Sequence, residues 1–331
     1  MEPLLDLRGL TVELPTVKGP VRPVQEVSLR LAAGESLGLV GESGSGKTML
    51  ALALVGLLPR GARRRGEAWL AGANGSGAKN LVTLDEAALT AVRGREIGFV
   101  FQEPMTALNP VMRIGSQVAE AMRAHERNLG RSEARRRALA MLERSRVPEA
   151  ARRARQFPHQ LSGGLRQRAM IAMALAAGPR LLVADEPTTA LDVTVQKEIL
   201  ELLGRLRKEL GLSLLFITHD LAVVAQVADR LAVMYAGRIV EIGPTAELLR
   251  NPRHPYTEAL LRASPQLTRR GFAPIPGSVP ALDALPAGCA FEPRCVLRQP
   301  ECAARVPEPR VAGRDHAARC FLIAGERETE S

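Results

Sequence analysis

Aromatic side chains are scarce in this sequence of 331 residues: seven Phe, two Tyr and one Trp, 3% of the chain. That is too few for a platform on which successive bases stack, which argues against binding of single-stranded nucleic acid. No apolar run is longer than about nine residues (Ala169 to Ala177), whereas a membrane-spanning helix needs roughly 20. An integral membrane protein is thereby excluded. The opening residues, Met1-Glu-Pro-Leu-Leu-Asp6, lack a basic stretch followed by an apolar one, so no secretory signal is expected. Cysteine is limited to four residues, Cys289, Cys295, Cys302 and Cys320, all near the C-terminus. In the reducing compartment that follows, clustered thiols suggest a metal or cluster more than disulfides. Lysine is as thin: of the 45 basic residues only five are Lys and 40 are Arg.

Apolar residues make up 46% of the chain, enough for one large folded domain, or one with an appendage. The net charge of +10 admits an anionic partner or a plain bias toward Arg. The arginines are spread along the chain, with only short clusters at 63–65 and 135–137. Residues 4–40 read as strands, and Ser36-Leu-Gly-Leu-Val40 is a short apolar run that stops at Gly41. Thr48 to Leu58 has helical character and is closed by Pro59, while 72–77 is a Gly/Ser/Asn loop. Residues 97–101, 180–184 and 212–218 are further buried-strand candidates; 115–178 read as mostly helical, and Val193–Leu210 is a helix stopped by Gly211. Strands alternating with helices imply an α/β core with a parallel sheet. From about residue 250 prolines crowd in and strand signals vanish, so a boundary is expected there.

Gly41-Glu42-Ser43-Gly44-Ser45-Gly46-Lys47-Thr48 fits the phosphate-loop pattern G-x-x-x-x-G-K-[ST], between a strand and a helix candidate. Its glycines let backbone N–H groups curl around phosphate oxygens at a helix start. Lys47 would reach the β- and γ-phosphates, and the Thr48 hydroxyl would hold Mg²⁺. The apolar run Leu181-Leu-Val-Ala ends in Asp185-Glu186. A strand buried on both faces can present carboxylates only at its end, where ligands of open α/β sheets bind. Asp185 suits the Mg²⁺ shell and Glu186 suits positioning and deprotonating an attacking water. Leu161-Ser162-Gly163-Gly164-Leu165-Arg166-Gln167 precedes a helical run. It is either a Ser-capped glycine turn or a second anion cradle. Two cradles in one chain make sense if one subunit's cradle closes over the nucleotide held by another.

Taken together, these residues resemble the ATP-binding subunits of ABC transporters. Gly41–Thr48 resembles their Walker A loop, Gln102 the Q-loop, and Leu161–Gln167 the signature motif. Arg180–Asp185 resembles Walker B with Glu186 as catalytic glutamate, Thr189-Ala-Leu-Asp192 the D-loop, and His219 the switch histidine. The resemblance narrows to the oligopeptide/dipeptide importer branch through residues 102–110, 157–168 and 185–196, and through the tail segments 251–257, 276–280 and 288–295. It implies a P-loop NTPase ABC cassette in 1–250 with an antiparallel β subdomain and a helical subdomain near 112–178. A Pro/Cys-rich C-terminal extension would occupy 251–331. It implies Gln102 as a Mg²⁺ and γ-phosphate sensor and His219 as a γ-phosphate contact, both acting with Glu186. Ser162, Gly163, Gly164 and Gln167 would face the ATP of the opposite subunit. Two points depart from the family: Leu165 stands where Gln or Met is common, and residues 1–40 hold no aromatic to stack on adenine.

The resemblance also implies an ATPase at the cytoplasmic face of the cell membrane, energising import of peptides or similar small solutes. Its partners would be two transmembrane permease subunits, a second ATPase subunit (homologous or self) and an external solute-binding protein, with no nucleic acid. The cysteine spacings, C-x5-C, C-x6-C and C-x17-C, are not those of structural zinc pairs. They leave a [4Fe–4S] cluster, which some relatives carry, zinc, and free thiols as alternatives. A soluble ABC ATPase acting on nucleic acid or ribosomes is the rival reading, supported by the charge of +10.

Overall fold

The computed structural model describes residues 3–72, 77–189, 191–267 and 273–323. Most of the expected 72–77 loop, and Ala190 of the D-loop segment, lie outside the described residues. The chain forms two compact units. One is built from the described residues of Met1–Ala32, Ser36–Thr83 and Phe216–Ser331, the other from Ala33–Glu35 and Leu84–Leu215.

The first unit carries an antiparallel sheet of Val21–Ala32, Pro3–Leu14, Arg63–Leu70 and Lys79–Asn80, in that order. Its core pairs are apolar, Leu7 opposite Leu29 and Val12 opposite Val24. The same unit contains Ser36–Val40, buried at every position, running parallel to Arg230–Tyr235. Arg230–Tyr235 turns back into Arg238–Pro244 through Ala236 (φ 44°) and Gly237 (φ 87°). Two successive positive φ values give the tight hairpin whose twist matches its strands.

The tail departs from expectation. It is not strandless: His316–Ala318 pairs antiparallel with Arg238–Pro244, and Arg310–Gly313 pairs with His316–Ala318. These two strands extend the sheet that contains Ser36–Val40, Arg230–Tyr235 and Arg238–Pro244. They are only three and four residues long and carry Ala, Gly and Arg, so no alternating apolar pattern marks them. The helix after the phosphate loop is also shorter than read from sequence, Lys47–Leu54, with Gly56 in a left-handed conformation (φ 66°) just beyond.

In the second unit, Ile97–Val100 runs parallel to Leu181–Asp185. The helices Ile114–Arg123, Arg131–Arg144, Ala150–Arg153 and Gly163–Leu175 fill much of the stretch expected to be helical. They pack around Leu108, Ile114, Val118, Met122, Leu142 and Leu161. Val193–Leu210 begins at Asp192, whose carboxylate accepts the Val195 N–H at 3.0 Å, and ends at Gly211 (φ 64°). Asp192, expected in the D-loop, is thus an N-cap as well. Among the described residues, no helix is long and apolar enough to cross a membrane.

The tail is fastened to the first unit through a buried polar knot. Glu241 is 1% exposed, accepts the N–H groups of Arg253 at 2.7 Å and His254 at 3.0 Å, and lies 2.7 Å from His316 Nε2. His254 Nδ1 accepts the Tyr256 N–H at 3.0 Å. Burial holds the His254 pKa down at about 4, from 6.5, against the opposing pull of Glu241. The unfolded chain therefore takes up this proton near pH 6.5 and the folded chain only near pH 4. Stability from the neutral ring is complete above about pH 6.5 and is lost as pH falls toward 4, by about 3 kcal/mol. Denaturant midpoints should fall across that window, and the fall should be shallower in His254→Asn, which keeps an acceptor for the Tyr256 N–H. Equal pH slopes in the two proteins would contradict the assignment.

Candidate active site

In the first unit the phosphate loop leaves the buried strand Ser36–Val40 and runs into the helix Lys47–Leu54. The helix N-cap is Gly46 at φ 105°, and no side chain caps it. A Cβ on Gly46 would sit 2.0 Å from the Pro23 carbonyl oxygen, and one on Gly41 2.1 Å from that of Met234. Backbone thus passes backbone too closely for any other residue at either position. Ser45 is fully buried; its carbonyl accepts the Gly237 N–H at 2.9 Å. Lys47 is 4% exposed, and its Nζ donates to the carbonyls of Gly41 at 2.8 Å and Glu42 at 3.0 Å and to Ser45 Oγ at 3.3 Å. A helix N-terminus and a curled-in ammonium on one tight loop form an anion cradle. Ser43, Gly44 (φ 80°) and Thr48 complete the loop and the first helical turn.

The loop also has supports that sequence reading missed. Arg294 Nη1 and Nη2 donate to Glu42 Oε2 at 2.7 Å and Oε1 at 2.9 Å, and the Glu42 N–H donates to the Tyr256 hydroxyl at 2.9 Å. Burial works against the Arg294 charge, but Glu42 and Tyr235 outweigh it and its pKa is raised. Nothing local signals this pairing, since Arg294 and Glu42 lie 252 positions apart. His219, in the same unit, follows the strand Ser213–Thr218 and is exposed; Thr218 Oγ1 accepts the Asp220 N–H at 3.1 Å, and Asp220 caps the next helical turn.

In the second unit Asp185 ends the strand Leu181–Asp185 and is 3% exposed. Glu186 follows with φ 44°, a strained backbone for a non-glycine residue. Its Oε2 accepts from Gln102 Nε2 at 3.2 Å and from Thr189 Oγ1 at 2.9 Å. The structure therefore brings Gln102 and Glu186 together, and adds Thr189 as an anchor. Two donors on one carboxylate oxygen fix where the carboxylate points.

The signature segment offers a different surface. Ser162 is the exposed N-cap of Gly163–Leu175, yet its side chain makes no capping bond. That disfavours the ordinary Ser-cap reading and leaves the hydroxyl beside the helix start. Gly163 is exposed, and a Cβ on Gly164 would lie 2.7 Å from Val195 Cγ1. Gln167 is 2% exposed, and its Nε2 has no hydrogen-bond partner among the described residues.

Cys289, Cys295, Cys302 and Cys320 line one apolar cavity with Phe291 and Phe321. Burial pushes the Cys289 thiol up to about 11 and raises those of Cys295 and Cys320. Among the described residues, however, no group of three or more His, Cys, Asp or Glu side chains is arranged to hold a metal ion. The expected four-cysteine ligand set is thus gathered around one cavity but not closed on a common centre.

Comparison with known proteins gives two family matches. The ABC transporter family model matches residues 24–189, and that of the oligopeptide/dipeptide transporter C-terminal region matches 240–302. The chain is 49% identical over 330 residues to a putative peptide import ATP-binding protein of Brucella melitensis, covering 97% of each. It is 47% identical over 333 residues to the oligopeptide transport ATP-binding protein OppD of Mycobacterium tuberculosis, covering 98% of this chain and 53% of that one. Among solved structures, the ATP-binding cassette MJ0796, a dimer in a post-hydrolysis state bound to ADP and Pi, matches with TM-score 0.64 and 30% identity. That match covers 73% of this chain and 98% of the other.

The loop geometry makes a direct prediction. Gly46→Ala places a methyl group 2.0 Å from a backbone oxygen at φ 105°, so it should weaken nucleotide binding at least about tenfold. A nucleotide titration equal to that of the unaltered chain would contradict the cradle as described.

Proposed function

The chain belongs to the ABC transporter family of ATP-binding proteins, and from that premise we propose that it is the ATP-hydrolysing subunit that energises peptide import across a membrane. The similarity to peptide import ATP-binding proteins and the match of 240–302 to the oligopeptide/dipeptide transporter C-terminal region support the substrate class. The observation that carries hydrolysis is the Glu186 carboxylate, aimed by Gln102 and Thr189 at the end of a buried strand.

Each residue has a role in this reading. The amides of Gly41–Gly46 and the Lys47 ammonium bind the triphosphate. Thr48 and, through water, Asp185 would hold Mg²⁺ with hard oxygen atoms, and the ion when bound would neutralise charge building on the phosphates. Glu186 orients the attacking water and takes its proton. Gln102, hydrogen-bonded to Glu186, lets the state of that carboxylate reach the segment that follows, Glu103–Ala107. His219 contacts the γ-phosphate. Ser162, Gly163 and Gly164 serve a nucleotide bound by a second ATPase subunit, Gln167 being too buried for its side chain to reach one, and Asp192 lies on the intervening D-loop. The exposed, non-capping Ser162 supports that role. Two permease subunits and an external solute-binding protein complete the assembly at the cytoplasmic face, with 1–250 as the ATPase domain and 251–331 as the importer-type extension.

A [4Fe–4S] cluster on the four cysteines belongs to the same proposal, supported by their sharing one cavity. When bound it would be a covalent staple for a tail poor in regular structure. Iron and sulfide analysis of anaerobically purified protein should give about four of each per chain. Absence of both, or a single zinc, would end this assignment without touching the ATP site.

Glu186→Gln keeps the size and the hydrogen-bond acceptor but removes the base. It should lower ATP turnover by roughly 10² or more while ATP-bound dimers accumulate, read by phosphate release and by size-exclusion chromatography with ATP. A Gln variant with near-normal turnover would remove Glu186 from the catalytic role.

A further inference from the structure

Glu42 and Lys47 are the only ionisable side chains in the phosphate loop Gly41–Thr48. A carboxylate in a loop that receives a polyanion is an electrostatic liability, because two like charges a few ångströms apart repel by kilocalories at protein-surface dielectric. Arg294 meets that carboxylate with both Nη atoms, in the paired fork geometry that guanidinium and carboxylate favour. The fork is not a loose surface contact. The Arg294 side chain is 4% exposed and that of Glu42 29%. Arg294 Nε donates to the Pro276 carbonyl at 2.8 Å and Nη1 reaches the Tyr235 hydroxyl at 3.3 Å. Its guanidinium carbon lies 5.8 Å from the Tyr235 ring centre and 5.9 Å from that of Phe291. Tyr235, Tyr256 and Phe291 pack edge-on or tilted with centres 4.5 to 5.3 Å apart.

Both ends of Glu42 are therefore held by residues beyond 250: the carboxylate by Arg294, the backbone N–H by Tyr256. We propose that Arg294 is a positioning residue of the ATP site, supplied by the C-terminal extension. It neutralises the one carboxylate of the phosphate loop, and with Tyr256 it fixes the loop's second residue, so that the extension sets the affinity for ATP. This rests on the reading of Gly41–Thr48 as the ATP loop.

A role limited to packing and a role in charge masking differ in one respect. If Arg294 masks charge, removing it harms ATP binding because Glu42 is left bare, and removing the Glu42 charge as well repairs the harm. If Arg294 only packs, the second substitution repairs nothing. The test is calorimetric titration of the full chain with ATP. Arg294→Met, which retains much of the aliphatic bulk, should weaken ATP binding about tenfold or more. Arg294→Met combined with Glu42→Gln should return to within about threefold of the unaltered chain. Arg294→Lys keeps the charge but loses the fork, and should fall between them. The double variant leaves no unpaired charge, so it reads the proposal even if Arg294→Met alone unfolds. A double variant as weak as Arg294→Met, or an Arg294→Met that binds ATP normally, would overturn the inference while leaving the ATP site intact. If the unaltered chain binds no ATP, or binds it as well with Lys47→Ala, the reading of the loop itself fails, and this inference with it.

Discussion

The structure is organised around one electrostatic problem: a place for a polyanion at the end of a strand with no exposed residue. Ser36–Val40 is buried throughout, so charge can be met only beyond it, where the backbone turns. The backbone turns there so tightly that Gly41 and Gly46 admit no Cβ. What lines the turn is backbone, the buried Ser45 hydroxyl and one ammonium, that of Lys47. Such fixed dipoles need little reorganisation when the anion arrives, which is what makes them effective. The other side of this design is that the loop tolerates little stray negative charge, and its single carboxylate is clamped by Arg294.

The second unit poses the opposite problem, holding acids rather than bases. Asp185 and Glu186 are adjacent yet differently placed: Asp185 closes the strand and Glu186 turns off it at φ 44°. Strain of this kind persists only where the surroundings over-determine it, and the bonds from Gln102 and Thr189 to Glu186 Oε2 contribute to that. Arginine, abundant in the sequence, is largely spent on the surface. Arg136 and Arg137 pair with Glu133, Arg152 with Glu149, and Arg205 with Glu209. Exposed pairs of this sort add little stability, and they turn part of the basic excess into ordinary solvated faces.

Local chemistry was readable from sequence, and non-local chemistry was not. The phosphate loop, the Gly211 stop and the acids at the end of Leu181–Asp185 all declare themselves within a few residues. The segments 97–101, 180–184 and 212–218 were legible as strands because buried strands are short apolar runs. The strands Arg310–Gly313 and His316–Ala318 were not, because edge strands of three or four residues borrow their geometry from the neighbour they pair with. The Arg294–Glu42 fork was invisible for a related reason: ion pairs across 252 positions leave no spacing to detect. Neither the Thr189 anchor nor the backbone strain at Glu186 has a sequence signature.

The central claim is that this ATP site serves a membrane transporter, and that the charge of +10 does not mark a nucleic-acid partner. The most direct test is to tag the full chain, recover it from mildly solubilised membranes, and identify what accompanies it by mass spectrometry. The account predicts two multi-spanning proteins and a second P-loop ATPase, or a second copy of this chain, in comparable amounts. Recovery in the soluble fraction alone, with nucleic acid or ribosomal proteins in place of permeases, would contradict it.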